Sequence, residues 1–398
     1  MNKGAVKFIN NNLFTDLSIY NYQWELFKNG VSVGKESFSI SGKPMAEQDV
    51  TLKLPPINIA SREEYFLIIK VLSKEGDDLI PAGHIVASEQ LSFPSNNYFT
   101  ESLNPSGTLK VEKISSGLKF TSGNIEGLIG LADGLLHKYS NNGKLLLTTA
   151  PIPNFWRAPI DDDFGSSTQM NHNVWRTAGD EKSLTKIDIK EQTPAGQEIV
   201  VNYNLKYIDI PYQVTYFIYN DGTLKITANM DLSGKRMPDL LRYGMKMEIP
   251  VAFENVSYYG RGPWENYIDR NTSSFIGNYS CKVEELKFDY IRPQENGYRT
   301  DVRTVSFTDK SGEGVEFIGF GVPICFNARY NYDEDFDPGL TKKQQHSIDV
   351  HKRDILAVNI DWKQMGVGGN NSWGARPLRQ YRLSDKQFSY SYLIKPAK

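Results

Sequence analysis

Cysteine is nearly absent from this sequence: Cys281 and Cys325 are the two thiols in 398 residues. They stand far apart and outside any Cys-x-x-Cys pattern, so the sequence indicates neither a disulfide framework nor a zinc ribbon, and two buried thiols are expected. Charge of one sign is equally scarce. The formal net charge is −2, the pI is near 6.3 and no basic stripe occurs, which argues against a nucleic-acid partner. No apolar run approaches the roughly 20 residues of a membrane-spanning helix, so no membrane partner is expected. The start, Met1 to Lys7, lacks the apolar core of a secretory leader, and the compartment stays open between cytoplasm and periplasm. There is no Gly-x-Ser-x-Gly elbow and no phosphate-binding Gly-x-x-x-x-Gly-Lys loop, so serine-hydrolase and nucleotide chemistry lack support. His84, His137, His172, His346 and His351 show neither His-Glu-x-x-His nor another metal spacing, and no metal site is expected. Long amphipathic helical patterns are also missing; Thr341 to Gln345 reads as one short helix.

What the chain does have is aromatic side chains and strict alternation. Aromatics make up 12% of the residues, a composition that suits a pleated, half-buried surface. Ile199, Val201, Tyr203, Leu205 and Tyr207 alternate with polar residues. So do Tyr212, Val214, Tyr216 and Ile218, and then Leu224, Ile226, Ala228, Met230 and Leu232. The spacing predicts a three-strand antiparallel meander, with Asp221-Gly222 making the second turn. Asn29-Gly30, Asn142-Gly143 and Ser311-Gly312 give further turn signals. The fold class is therefore all-β, with sandwiches as the expected architecture. Residues 1–95 read as about seven short strands, which suits an immunoglobulin-like sandwich of about 100 residues. Residues 96–107 turn to Ser, Asn and Pro, as a linker does. Residues 108–398 read as one large strand-rich domain.

Candidate chemistry is sparse. Met365-Gly366-Val367-Gly368-Gly369-Asn370-Asn371-Ser372-Trp373 sets one indole among small and polar neighbours. Such a loop offers an apolar platform to the C–H face of a sugar; it is equally a turn whose tryptophan folds back into its own core. Sugar hydrolysis needs two carboxylates held about 5 to 9.5 Å apart, and no such pair can be read from spacing. Asp161-Asp162-Asp163 is expected to pair with arginines or to cap loop amides. Asp333-Glu334-Asp335-Phe336-Asp337-Pro338-Gly339 begins like a calcium loop, but Pro338 stands where glycine is needed and Gln344 where a bidentate glutamate is needed. It reads as a solvated loop.

Four segments in order carry a resemblance. They are Asn154-Phe155-Trp156-Arg157-Ala158-Pro159 running into Asp161-Asp162-Asp163-Phe164-Gly165, then Tyr259-Gly260-Arg261-Gly262-Pro263-Trp264-Glu265-Asn266-Tyr267, then Pro293-Gln294-Glu295-Asn296-Gly297, then Gly366 to Trp373. Together they resemble the C-terminal part of the β-galactosidases of glycoside hydrolase family 2. The resemblance implies an immunoglobulin-like sandwich followed by a large galactose-mutarotase-like β-supersandwich. It implies galactosides as substrates and a (β/α)8 catalytic domain or large subunit as partner, with homo-oligomers of the whole enzyme. The family's catalytic glutamates lie in that barrel, the acid/base following an asparagine. This chain has no Asn-Glu dipeptide, so catalytic residues are expected outside it, and the chain reads as a piece of a longer enzyme or a separate small subunit. Mg2+ and Na+ are implied for the whole enzyme and not for this chain. By the same resemblance Trp373 stacks on the sugar. Ser166, Ser167, Thr168, Asn171 and His172 belong to a loop at the active-site rim, and Arg157 and Asp163 are partners in a structural network. A free-standing carbohydrate-binding module and a mutarotase-like epimerase are the competing functions.

Overall fold

The computed structural model describes residues 4–94, 98–99, 103, 105–369, 371 and 373–397. The chain forms two compact units, one of residues 1–100 with 276–278, the other of the remainder. Much of the 96–107 stretch read as a linker, together with Asn370 and Ser372 of the glycine-rich run, lies outside the described residues.

The smaller unit has six strands among its described residues. Ala5–Ile9 pairs with Glu47–Thr51, and a four-stranded antiparallel sheet runs Val31–Phe38, Tyr20–Lys28, Tyr65–Ser73, Ile85–Ser92. Period-2 alternation puts Tyr22, Trp24 and Leu26 on one face of the second of these strands. Trp24 and Leu26 pack with Leu52, Tyr65, Leu67, Ile69 and Phe93. The Asn29-Gly30 turn closes the hairpin with φ of 48° and 74°, the left-handed pair a two-residue turn requires.

The larger unit is built from three sheets around one core. A nine-stranded antiparallel sheet contains the expected meander as Gly196–Leu205, Ile210–Tyr219 and Leu224–Asp231. A five-stranded sheet runs Ile152–Asn154, Arg242–Glu248, Ala357–Gln364, Ile324–Arg329, Arg299–Val302, and another carries the strands between Lys110 and Leu145. Inward side chains of all three, such as Phe120, Tyr139, Tyr212, Tyr216, Tyr243, Met245, Phe326 and Ile360, form one continuous cluster. Phe155 is its hub, with its ring 5.8 Å from Trp175, 5.7 Å from Tyr212 and 6.0 Å from Tyr243. Truncating an aromatic so placed costs about 3–5 kcal/mol. The all-β expectation is met: helix among the described residues is limited to short turns, the longest Asp161–Gly165. The expected helix at 341–345 does not form. Five polar residues give no apolar stripe to bury and are too few to offset helix nucleation. Lys342 reaches Asp161 at 3.1 Å instead, and the nearest helical turn is Ser347–Asp349.

Candidate functional site

The strand Arg242–Glu248 alternates. Tyr243, Met245 and Met247 enter the core, while Arg242, Gly244 and Lys246 take the opposite face. On the neighbouring strands that face carries Asn359 and Asp361, and Asn327 and Arg329. Polar side chains on an outward strand face ordinarily meet water. Here loops cover them, and they are buried. Arg242 pairs through Nε with Asp361 at 3.1 Å, through Nη1 with Asp333 at 2.6 Å and through Nη2 with Glu295 at 3.4 Å. Arg329 pairs with Glu295 and Asp333, both at 3.2 Å. A ladder of amides crosses the sheet: Asn154 donates to Asn359, Asn359 to Asn327 and Asn327 to Glu295, at 2.8, 2.8 and 3.0 Å. Gly244 is required there, because a Cβ on it would lie 1.8 Å from the Asp361 carboxylate.

Two guanidinium groups face three carboxylates in this cluster, so one negative charge is in excess. Burial pushes the Asp361 carboxyl up to about 7, although Arg242 opposes the shift. Burial also penalises the Asp333 carboxylate, but Arg242 and Arg329 outweigh it and hold the group below its ordinary value. The segment 333–339 is therefore not the solvated loop its composition suggested. Asp333 is locked to two buried arginines, and Asp337 accepts from Trp156 Nε1 at 2.8 Å and pairs with Arg176. A run of acids reads as solvated until distant arginines are folded onto it.

The network holds down a rim of loops. Glu295 and Gly297 belong to the 293–297 motif, and Gly297 N–H donates to Glu265 at 2.7 Å. Arg157 donates through Nη2 to Asp163 at 3.1 Å and to the Gly366 carbonyl at 3.3 Å. Both side chains are buried. Burial, opposed by Arg157, pushes the Asp163 carboxyl up. Asp161 pairs on the surface with Arg292 at 2.9 Å and Lys342 at 3.1 Å. Asp269 accepts from Val367 N–H at 3.1 Å and Gly368 N–H at 2.8 Å, fixing the root of the glycine-rich loop. Gly369 must lack a Cβ, which would lie 2.4 Å from the Ala375 carbonyl where the loop closes on itself.

At the tip Trp373 is 90% exposed, so its ring does not fold back into the core. Its backbone N–H donates to Asn371 Oδ1 at 2.9 Å. The next residue, Gly374, has φ +110°, and a Cβ there would lie 3.2 Å from the Gly165 carbonyl. The tryptophan loop thus runs beside the 165–175 segment. Within that segment Ser167 and Asn171 are exposed and Ser166 is half-buried, its hydroxyl 2.7 Å from that of Thr168. Thr168 and His172 are buried, with His172 Nδ1 3.1 Å from the Thr168 carbonyl. Burial, reinforced by Arg376, lowers the His172 pKa, and the ring frames the loop instead of facing solvent. The cluster of Arg242, Glu295, Arg329, Asp333 and Asp361 could not be read from sequence because no local spacing links them; strand pairing and two distant loops bring them together.

The comparisons with known proteins agree along the chain. The family described as β-galactosidase small chain matches residues 121–394, and β-galactosidase domain 4 matches residues 6–94. A β-galactosidase of Priestia megaterium is 30% identical over 99% of this chain, and one of Halalkalibacterium halodurans is 28% identical over 95%. The chain spans 38% and 37% of those two proteins, well under half of their length. Among solved structures, a putative aldose 1-epimerase of Escherichia coli K12 aligns over 72% of this chain and 99% of its own, at 10% identity and a TM-score of 0.38.

Proposed function

The chain belongs to the β-galactosidase small-chain family, and on that premise we propose that it is the non-barrel part of an enzyme hydrolysing terminal β-D-galactosyl residues. In this reading Trp373 and the 165–175 loop close one side of the active site, and a (β/α)8 domain or large subunit contributes the two catalytic carboxylates. The carrying observation is the 90% exposed indole on a loop whose root is pinned. A large apolar ring held in water loses free energy unless something covers it, and a sugar's C–H face in an interdomain cleft is such a cover. In the same reading Ser167 and Asn171, exposed on the 165–175 segment, meet sugar hydroxyls, while Arg157 and Asp163 position the loops and touch no substrate.

The Mg2+ and Na+ implied for the whole enzyme do not fit the residues of this chain. Among the described residues no group of three or more His, Cys, Asp or Glu is placed to hold an ion, and Asp161, Asp163, Glu295 and Asp333 are each held by arginine or lysine.

Trp373→Ala in the enzyme that carries this chain with its barrel tests the reading. Loss of one stacking contact removes roughly 1 kcal/mol of binding, so KM for a chromogenic galactoside should rise roughly fivefold to tenfold with kcat changed far less. An unchanged KM with normal turnover would remove Trp373 from the substrate site.

A further inference from the structure

A second tryptophan of the larger unit is also out in solvent. Trp264 is 66% exposed, yet it stands on a segment that is locked in place. Asn266, fully buried, donates to the Trp264 carbonyl at 3.0 Å and to the Arg261 carbonyl at 3.2 Å. Its Oδ1 accepts from Thr300 N–H at 3.0 Å and from the Thr300 hydroxyl at 2.6 Å. Glu265 is held by Gly297 N–H and Arg270 on either side. The backbone that carries the indole is thus held in a rigid frame, and the ring itself is largely exposed.

Beside it lies a cleft of about 520 Å³, within the roughly 300–1,000 Å³ range of small-molecule sites. Its walls are aromatic: Trp264 and Phe288 with Tyr258 and Tyr279, the latter pair of rings 5.3 Å apart. Gly262 makes room for that pair, since a Cβ on it would lie 2.3 Å from the Tyr258 hydroxyl. The charges in the lining are two and two, and each is already engaged. Arg299 donates to Tyr258 Oη and the Tyr298 carbonyl, Lys287 pairs with Asp289, Glu285 accepts from Lys282 N–H, and Glu265 pairs with Arg270. A cleft so balanced favours neither an anion nor a cation. Its one thiol, Cys281, is pushed up by burial and is no nucleophile.

We infer that this cleft is a carbohydrate site separate from the Trp373 loop, taking a short neutral oligosaccharide with one pyranose ring stacked on Trp264. An apolar platform with polar groups at its edge matches the two faces of a pyranose, whose C–H groups pack on the ring while its hydroxyls meet the rim. The proposal needs no catalytic barrel and stands whether or not Trp373 faces a substrate.

Titration of the 398-residue chain with β-1,4-galactotriose and with cellotriose, followed by calorimetry and saturation-transfer NMR, tests it. The expected result is millimolar binding of at least one trisaccharide. Trp264→Ala should weaken it about tenfold, and Phe288→Ala should weaken it by a smaller factor. Trp373→Ala should leave it unchanged. Because Trp264 is exposed, its variant should melt with the parent chain, and Trp264→Phe should restore part of the affinity. Binding of neither sugar overturns the proposal. So does binding that survives Trp264→Ala, or that is lost in Trp373→Ala instead. A Trp264→Ala variant that alters only the chain's self-association would make the cleft a protein contact and overturn it equally.

Discussion

Two indoles of the larger unit face water, and they are held in opposite ways. Trp373 stands at the tip of a glycine-rich loop fixed at its root by Asp269, with Gly374 at positive φ beside it. Trp264 stands on a segment locked by the two residues that follow it, Glu265 and Asn266. The first arrangement suits a ring that seats itself when a partner surface arrives. The second suits a ring on a backbone already in place, where binding orders little more than the side chain. Exposure alone does not separate these cases; the hydrogen bonds of the flanking backbone do.

The largest expected effect comes from unlocking the rigid side. Asn266→Ala removes a buried side chain with four hydrogen bonds and leaves the Thr300 N–H and hydroxyl without that acceptor, at a cost of about 2–4 kcal/mol. Urea unfolding should register it; a loss under about 1 kcal/mol would mean the frame around Trp264 is not rigid. Asp269→Ala should cost less, about 1–2 kcal/mol, because water can reach Gly368, and its signature is local. Amide exchange should quicken at Val367 and Gly368 and stay unchanged around Trp264.

The buried ionic cluster that holds Glu295 of the 293–297 motif makes stability depend on pH. Asp361 keeps its proton up to about pH 7 in the folded chain, against about 4 when unfolded. Its contribution is therefore fully present below pH 4 and is lost as pH rises through 7. Asp361→Asn should flatten that fall in melting temperature between pH 4 and 8. A slope unchanged in the variant would assign the titration elsewhere. The smallest effect is on the indoles themselves: Trp264→Ala and Trp373→Ala should each change stability by no more than about 0.5 kcal/mol, since both rings are largely in water.

Much of the fold was legible because alternation is a local signal. The strands from Gly196 to Asp231 lie where the period-2 pattern put them, with paired partners in register. The buried network was not legible. Asn359 and Asp361 alternate with Val358 and Ile360 as the solvent face of an ordinary strand would, and only loops drawn from distant sequence cover them. Asp333 and Asp337 were misread for the same reason, since their arginines lie at 176, 242 and 329. Within the Gly262 to Asn266 motif, Glu265 and Asn266 hold the segment in place, and the side chain of Trp264 just before them is the part that faces out.

The most direct test of the account is the environment of Trp373 in the whole enzyme. With the tryptophans of the whole enzyme labelled as 5-fluorotryptophan, the Trp373 and Trp264 resonances are assigned by their disappearance in Trp373→Phe and Trp264→Phe. Titration with a competitive galactoside inhibitor should then shift that one signal, saturating with the loss of activity, while the Trp264 signal stays in place. An enzyme fully inhibited with the Trp373 resonance unmoved would contradict the assignment of this loop to the active-site rim.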